Sequence, residues 1–487
     1  MKMKIMSPLT LLFTNNLILQ STLVLFLTLS LSFLKIPIVF LQGLHTYIHP
    51  DDVNPSAATN GGVRAAIRRP GTSDHQELKP RKRSKEKFEF DENKAQIFRL
   101  KLTDGHLQTR LYFNQFRSAF NSTVIALSCF VLHNSLSVLE GSGIIVDGGT
   151  IVPILLGLAS VCRVFISIAR VSFEKSASKR SEKQLSVVLG FLGFLLGFAI
   201  VIEVVPNWVL DFGFGSFDGF GKFLIATFMG CIAGLLYMPA GRCARAFWLG
   251  TDQIRCNLSI INCGWIARTL LYANFLLIIF TSLLWINPFA NLLVNNHVDD
   301  KKGGAHLIGN ADELVGNFGM SQSDFGKFRF WCLLVSGLLQ IATLRPNLQM
   351  YLNEAVLSWY QRLHGGKVPD LDFSRAKVFL HNHYLCLVVL QFFAPPALVL
   401  LFLGFSQIDD NLLKNFQPHC AVKSKIFMIL LKIMAVADGA RFIGHWQWRR
   451  YRLEPRGLEF RLLVQWLCLD YRKDMREREG IIRSVLK

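Results

Sequence analysis

The feature that most constrains this chain is a repeated alternation of long uncharged stretches with short charged ones. The clearest uncharged stretch is residues 9–33, which contains no Asp, Glu, Lys or Arg. A helix needs roughly 20 apolar residues to cross the core of a bilayer, and backbone groups inside a bilayer must be hydrogen-bonded within the protein. Strands of a membrane barrel would alternate in polarity, and these stretches do not. The sequence therefore predicts an all-α, polytopic transmembrane helical bundle.

Hydropathy divides the chain into about eight or nine predicted spans. They lie at residues 9–33, 119–139, 151–171, 185–205, 223–239, 270–293, 328–344, 379–405 and 426–446. The first is either a cleaved signal peptide or an uncleaved helix. Its apolar core is longer than the ~7–15 residues of a signal peptide, which favours an uncleaved signal anchor.

The connecting loops alternate in charge. The net charge of +19 would indicate a nucleic-acid partner in a soluble protein, but here the excess falls in alternate loops. The basic loops are residues 173–184, 241–263, 345–377, the loop after the first span and the tail after 449, whereas 140–150, 206–221 and 295–326 are acidic. By the positive-inside rule the basic set is cytosolic, so we expect an amino terminus outside the cytosol and a carboxyl terminus inside it. We expect contact with the bilayer, with anionic lipid at the basic loops, and no nucleic acid.

These patterns predict four regions. Residues 1–44 hold the first helix, 45–117 a basic and largely disordered cytosolic loop, 118–448 the bundle, and 449–487 a basic cytosolic tail. Two amphipathic segments are expected to lie at the interface, namely 346–363 and the short apolar run 458–469.

Four charged residues are the candidates for an intramembrane site. Arg163, Lys432, Asp438 and Arg441 fall inside predicted spans. A charge at that depth is costly and usually faces a partner or a water-filled cavity. Structural ion pairs and a polar pathway are both open at this point.

Two proline sites are candidates for a hinge or kink. Arg345-Pro346 should end a helix and turn the chain onto the membrane surface, with a hinge as the alternative. Pro395-Pro396 should kink the eighth span. A kink used for packing is favoured over one that lines a binding site.

Signals for catalysis, metal binding or a cofactor are missing from the sequence. It contains no CxxC pair and no HExxH, GxSxG or Walker motif. His381 and His383 are two apart and would diverge on a helix, which disfavours a metal site. Gly190, Gly193 and Gly197 form a small-residue face for helix packing. We therefore expect no catalytic, cofactor or metal residues, and no enzymatic activity.

Six motifs occur in an order that resembles the transmembrane protein 161 family. They are Tyr47-Ile48-His49-Pro50, Ala169-Arg170-Val171, Pro239-Ala240-Gly241-Arg242, Leu284-Trp285-Ile286-Asn287-Pro288, the run Thr343-Leu344-Arg345-Pro346-Asn347-Leu348-Gln349-Met350-Tyr351-Leu352, and Leu390-Gln391-Phe392-Phe393-Ala394-Pro395. The fifth is the most specific and is similar to Thr-Arg-Pro-x-Leu-Gln-x-Tyr-Leu, with Leu344 inserted. The resemblance covers roughly residues 9–440, and the charged tail departs from it.

The resemblance implies a multi-pass membrane protein without an established catalytic activity. Animal members of the family are linked to cell survival under stress and to membrane excitability. One hypothesis is a channel, a transporter or a modulator of ion flux, with the deep charges near its polar path. The alternative is a non-catalytic membrane organiser that binds partners through residues 51–117 and 346–378.

Overall fold

The computed structural model describes residues 16–49, 64–67, 96–140, 151–174, 180–204, 219–251, 263–294, 320–365 and 372–408. The helices before residue 205 are α1 Asn16–Phe33, α2 Ile36–Leu41, α3 Asp104–Gln108, α4 Phe113–Glu140, α5 Ile151–Phe173 and α6 Arg180–Val201. The later helices are α7 Gly219–Thr251, α8 Trp265–Leu283, α9 Asn287–Leu293, α10 Gln322–Ala342, α11 Leu344–Gly365, α12 Asp372–His383 and α13 Leu385–Ser406. The strands are β1 His45–Ile48, β2 Arg64–Ile67 and β3 Ile97–Lys101.

The predicted polytopic helical class is confirmed. Within the described part of the chain, seven helices are long and apolar enough to cross a membrane, and the shorter apolar helix Ile18–Phe33 matches the first predicted span. Those seven are α4, α5, α6, α7, α8, α10 and α13. The predicted ninth span, 426–446, lies outside the described residues.

One helix, α13, lies at the centre of the bundle. It contacts α4, α5, α7, α10, α11 and α12, and almost every residue from Leu385 to Phe405 is buried. In a membrane protein a helix that is apolar all round can be covered by lipid or by other helices. Here it is covered by protein, so its side chains pack rather than face lipid.

Aromatic packing fastens α13 to α4 and α5. The Phe120 and Phe393 rings lie 5.4 Å apart, and the Phe130 and Phe405 rings lie 4.9 Å apart. Glycine makes room for the second pair, because a Cβ on Gly157 would lie 2.6 Å from the Phe405 ring. Such distances permit no larger side chain without rearrangement.

The small-residue face predicted on α6 packs against α7. A Cβ on Gly190 would lie 3.3 Å from the carbonyl oxygen of Gly230, and one on Gly193 would lie 2.6 Å from Ala233. Ser186 also donates to the carbonyl of Gly234 at 2.6 Å. Close backbone approach of this kind is what small residues allow in membrane helices. The rest of α6 is open, with Phe191 at 62% exposure, so α6 lies at the periphery of the bundle.

Two predicted spans, each expected to be one helix, are broken into two helices. Residues 270–293 form α8 and α9, separated at Leu284–Ile286, because Pro288 favours the first turn of a new helix. Residues 379–405 divide at Tyr384, so α12 and α13 are separate helices. Pro239, in contrast, lies inside the continuous α7, which extends to Thr251.

A small antiparallel sheet was not predicted. Its strand order is β1-β3-β2, with Tyr47 opposite Arg99. Residues 45–117 were expected to be largely disordered, yet both ends of this region are ordered. Their apolar side chains explain this, since Tyr47, Ile97 and Leu102 are each 1% exposed. The polar stretches 50–63 and 68–95, on which the expectation of disorder depended, lie outside the described residues.

Candidate functional site

Two segments about 300 residues apart meet at one end of the bundle, and we call this contact the strand junction. It comprises β1, the start of α11 and the end of α12. The amide of Gln349 on α11 accepts from the backbone N–H of His45 at 2.9 Å and donates to its carbonyl at 3.1 Å. Asn382 on α12 donates to the carbonyl of Tyr47 at 2.6 Å. The outer edge of β1 is thus closed by side-chain amides, which satisfy groups that an exposed strand edge would leave open.

A buried tyrosine anchors the strand junction. The Tyr47 hydroxyl donates to Asn353 Oδ1 at 3.0 Å, and Gln349 donates to the same oxygen at 3.0 Å. Asn353 is 3% exposed. Burial raises the pKa of Tyr47, and Arg99 partly opposes that shift. The phenol therefore stays protonated and remains a hydrogen-bond donor at neutral pH.

Arg345 ties α11 to the turn that precedes β1. Its Nη2 donates to the carbonyl of Gln42 at 2.9 Å. Gly43 then takes a left-handed conformation, with φ of 85°, which glycine adopts without strain. The helix stop predicted at Arg345-Pro346 occurs at Thr343, between α10 and α11, and Pro346 falls in the first turn of α11, where its missing N–H costs little. Whether this break acts as a hinge stays a hypothesis.

The apolar face predicted for residues 346–363 is confirmed as a helical face. It comprises Leu348, Leu352, Ala355, Val356 and Trp359, each at most 2% exposed. Because α11 contacts α7, α12 and α13, protein covers this face. Its placement at a membrane interface stays a prediction.

Side chains from the other basic loops lie at the same end of the bundle as the strand junction. Arg245 on α7 forms an ion pair with Glu182 on α6 at 2.9 Å. Asn347 on α11 lies 3.6 Å from the sulfur of Cys243 on α7. The basic loops that were predicted to lie on one side of the membrane are therefore adjacent in the fold. A long-range ion pair that is partly buried also restrains how the helices can move.

A histidine and a tyrosine stack beside these charges. The ring centroids of Tyr351 and His381 are 4.6 Å apart, and His381 Nδ1 lies 2.9 Å from the carbonyl oxygen of Lys377. Burial raises the pKa of Tyr351 to about 12. Burial lowers the pKa of His381 to about 4, against the opposing effect of Glu354. Both rings are neutral at pH 7, so they pack as aromatic groups.

The candidate intramembrane charges are not brought together in the described residues. Arg163 lies on the exposed face of α5. Lys432, Asp438 and Arg441 lie outside the described residues. No group of three metal-ligating side chains occurs among the residues that the structure describes.

The two prolines of the eighth predicted span lie inside α13, and Pro396 is buried. Gln391, one turn earlier, is 1% exposed, and its Oε1 has no hydrogen-bond partner in the described part of the chain. A proline cannot donate to the carbonyl four residues before it. Pro395 therefore leaves the Gln391 carbonyl without its helical donor as well, which makes this the most polar point of α13.

Gln349, Asn353 and Asn382 were not predicted as junction residues. The one sequence signal for Gln349 is its place in the motif Arg345–Leu352, which also carries the family resemblance. Nothing local distinguishes Asn353 or Asn382, because their partners lie more than 300 residues away along the chain.

The fold and its hydrophobic helices define a multi-pass integral membrane protein. A family model described as "Predicted transmembrane protein 161AB" matches residues 217–408. Over those residues the chain is similar to the transmembrane protein 161 family, which confirms the resemblance found in the motifs. The match includes α7–α13, and hence the α11 and α12 side of the strand junction. No solved structure matches the chain.

Proposed function

We propose that this chain is a non-catalytic membrane organiser that presents the strand junction as a rigid platform for partner binding. The observation that carries the proposal is the position of α13, which lies at the centre of the bundle and is apolar and buried along its length. A translocation path needs polar groups or water along its axis. An apolar helix packed by its neighbours supports a structural centre instead.

The arrangement of the platform supports the same proposal. Residues 51–117 and 346–378 are the segments that the sequence predicts to bind partners. β3 and α3 come from the first segment and α11 and α12 from the second, and β1 bonds to both, since it pairs with β3 and accepts from Asn382. The described parts of both segments therefore meet at the strand junction. In this proposal it faces the cytosol with the basic loops, and the basic segments contact anionic lipid.

The runner-up is a channel, a transporter or a modulator of ion flux. The observation that favours it is Gln391 beside the Pro395-Pro396 pair. Its buried Oε1 has no partner among the described residues, and its carbonyl lacks the helical donor that Pro395 cannot supply. Broken or proline-containing helices hold substrate sites in some transporters. The transport proposal requires a water-filled path that reaches Gln391.

A flux assay separates the two proposals. The full-length protein is reconstituted into liposomes loaded with indicators for H⁺, K⁺ and Cl⁻. The organiser proposal expects leak rates equal to those of liposomes holding no protein. Flux that disappears in Gln391→Leu, but persists in the control Gln361→Leu on the exposed face of α11, would replace it with the transport reading.

A partner assay tests the organiser directly. Proximity labelling from the full chain in cells is compared between wild type and Gln349→Leu at equal membrane expression. The control is Tyr272→Phe, at a 42% exposed residue of α8 outside both segments. We expect the labelled set to change only for Gln349→Leu, because that variant opens the β1 edge. Identical sets for all three proteins would contradict the proposal.

A further inference from the structure

A groove lies between the start of α4 and the end of α5, outside the strand junction. It is an open groove of about 780 Å³. Its lining residues are Tyr112, Gln115, Ile166, Ala169, Arg170, Phe173 and Glu174. Both helices are candidate membrane spans, so the groove lies where a span meets the head-group region of a bilayer.

The groove carries one charge of each sign at the end of α5. Arg170 lies in the last turn of α5, and Glu174 directly follows that helix, four positions further along the chain. They form no ion pair, and Arg170 contacts no acceptor among the residues that the structure describes. Arg170 is exposed, so its guanidinium is available to an anion in the groove.

Glu174 is held in place by its neighbours. The Tyr112 hydroxyl donates to Glu174 Oε2 at 2.5 Å, and Lys183 donates to the Glu174 backbone carbonyl at 2.6 Å. Tyr112 has a positive φ of 67°, which is uncommon for a residue with a side chain. The backbone is therefore strained at Tyr112, whose hydroxyl reaches the Glu174 carboxylate. The second oxygen of that carboxylate, Oε1, can accept a hydrogen bond from a ligand.

Apolar side chains continue the groove along α5. Phe173 is 79% exposed and Ile166 is 54% exposed. A ligand that fits this lining has an anionic group, a hydrogen-bond-donating cation a few bonds away, and a hydrocarbon chain. An ethanolamine phospholipid has all three. The quaternary ammonium of a choline lipid has no N–H to donate to Glu174.

We propose that this groove binds an ethanolamine phospholipid, with its phosphate on Arg170, its ammonium on Glu174 and an acyl chain against Ile166 and Phe173. The site is independent of the organiser function, because it lies outside the strand junction. It differs from snorkelling of Arg170 to the interface, since snorkelling requires neither Glu174 nor a particular head group.

The test measures which lipid the purified full-length protein retains. Protein in mild detergent is equilibrated with equal amounts of phosphatidylethanolamine, phosphatidylcholine and phosphatidylglycerol, and bound lipid is counted by native mass spectrometry. We expect ethanolamine lipid to be retained preferentially. Arg170→Gln should reduce its retention by roughly tenfold, the size expected for a charge-assisted hydrogen bond, and Glu174→Gln should abolish the preference over phosphatidylglycerol.

Two further variants keep the test decisive. Arg163→Gln removes an exposed arginine from the same helix and should leave retention unchanged. Ala169→Phe leaves every charge in place but fills the groove, and it should displace the lipid. Equal retention of the three lipids by wild type, or wild-type retention by Arg170→Gln, would overturn the proposal.

Discussion

The Tyr47 hydroxyl donates a hydrogen bond to Asn353 Oδ1 at 3.0 Å, across 306 positions of the chain. Both residues are nearly inaccessible to water, at 1% and 3% exposure. The bond joins the short sheet that follows α1 and α2 to the helix that precedes α12 and α13. It therefore links the amino-terminal part of the chain to the part matched by the family model.

Removing this hydroxyl should destabilise the fold. We expect Tyr47→Phe to lower the free energy of unfolding by about 1 kcal/mol, because a buried acceptor loses one of its donors. The measurement is the midpoint of thermal unfolding in detergent. Tyr272→Phe is the control, since Tyr272 is 42% exposed on α8. An equal, small effect of the two variants would show that the Tyr47 bond contributes little.

Loss of the Gln349 amide should loosen β1 locally. We expect Gln349→Leu to speed hydrogen exchange at residues 45–48, since the leucine cannot bond the His45 N–H or carbonyl. Exchange in α13 should stay unchanged. Gln361→Leu, on the exposed face of the same helix, should leave β1 protected. Unchanged exchange of residues 45–48 in Gln349→Leu would mean that the amide does not hold the strand edge.

Two glycines should respond to alanine with opposite signs. A Cβ on Gly157 would collide with the rings of Phe130 and Phe405, so Gly157→Ala should destabilise the bundle by about 1–3 kcal/mol. A Cβ on Gly241 of α7 would meet nothing within 4 Å. Gly241→Ala should stabilise by about 0.4–1 kcal/mol through the unfolded chain. Thermal midpoints measured side by side check both, and a stabilised Gly157→Ala would refute the packing of α4, α5 and α13.

Acid should destabilise the protein in part through His381. Its pKa is lowered from 6.5 to about 4 by burial, so protonation favours the unfolded chain. The stability contributed by the neutral ring is complete above pH 6.5 and is lost as pH falls towards 4. We expect the thermal midpoint of His381→Phe to fall less than that of wild type between pH 7 and pH 4.5, while the stacking on Tyr351 is retained. Parallel pH profiles for the two proteins would show that this ring does not titrate with unfolding.

The sequence predicts the helices well because lipid imposes a strong rule on them. An uncharged stretch such as 151–171 has no alternative to a helix in a bilayer, and α5 spans Ile151–Phe173. Helix ends were harder to place where polar tertiary contacts decide them. The break at Tyr384 separates the polar residue Asn382, which bonds to Tyr47, from the apolar α13.

The strand junction could not be predicted for a related reason. Period-2 patterns of four or five residues are too short to identify β1 and β3 within a polar region. Their pairing also depends on Gln349, which lies far along the chain. Arg163 could not be assigned to a polar site from the sequence either. Its position in the middle of a span does not reveal whether its side chain points into the bundle or away from it.

The central claim of this account is that α13 forms a dry, protein-covered centre. Its most direct test is the reaction of single cysteines with a membrane-impermeant thiol reagent, in a cysteine-free full-length protein. Gln391→Cys, Ala394→Cys and Ala397→Cys report on the buried helix, and Gln407→Cys reports on its exposed end. The account predicts rapid reaction at position 407 and none at 391, 394 or 397. Reaction at 391 and 394 as fast as at 407 would contradict it, because water would then reach the middle of α13.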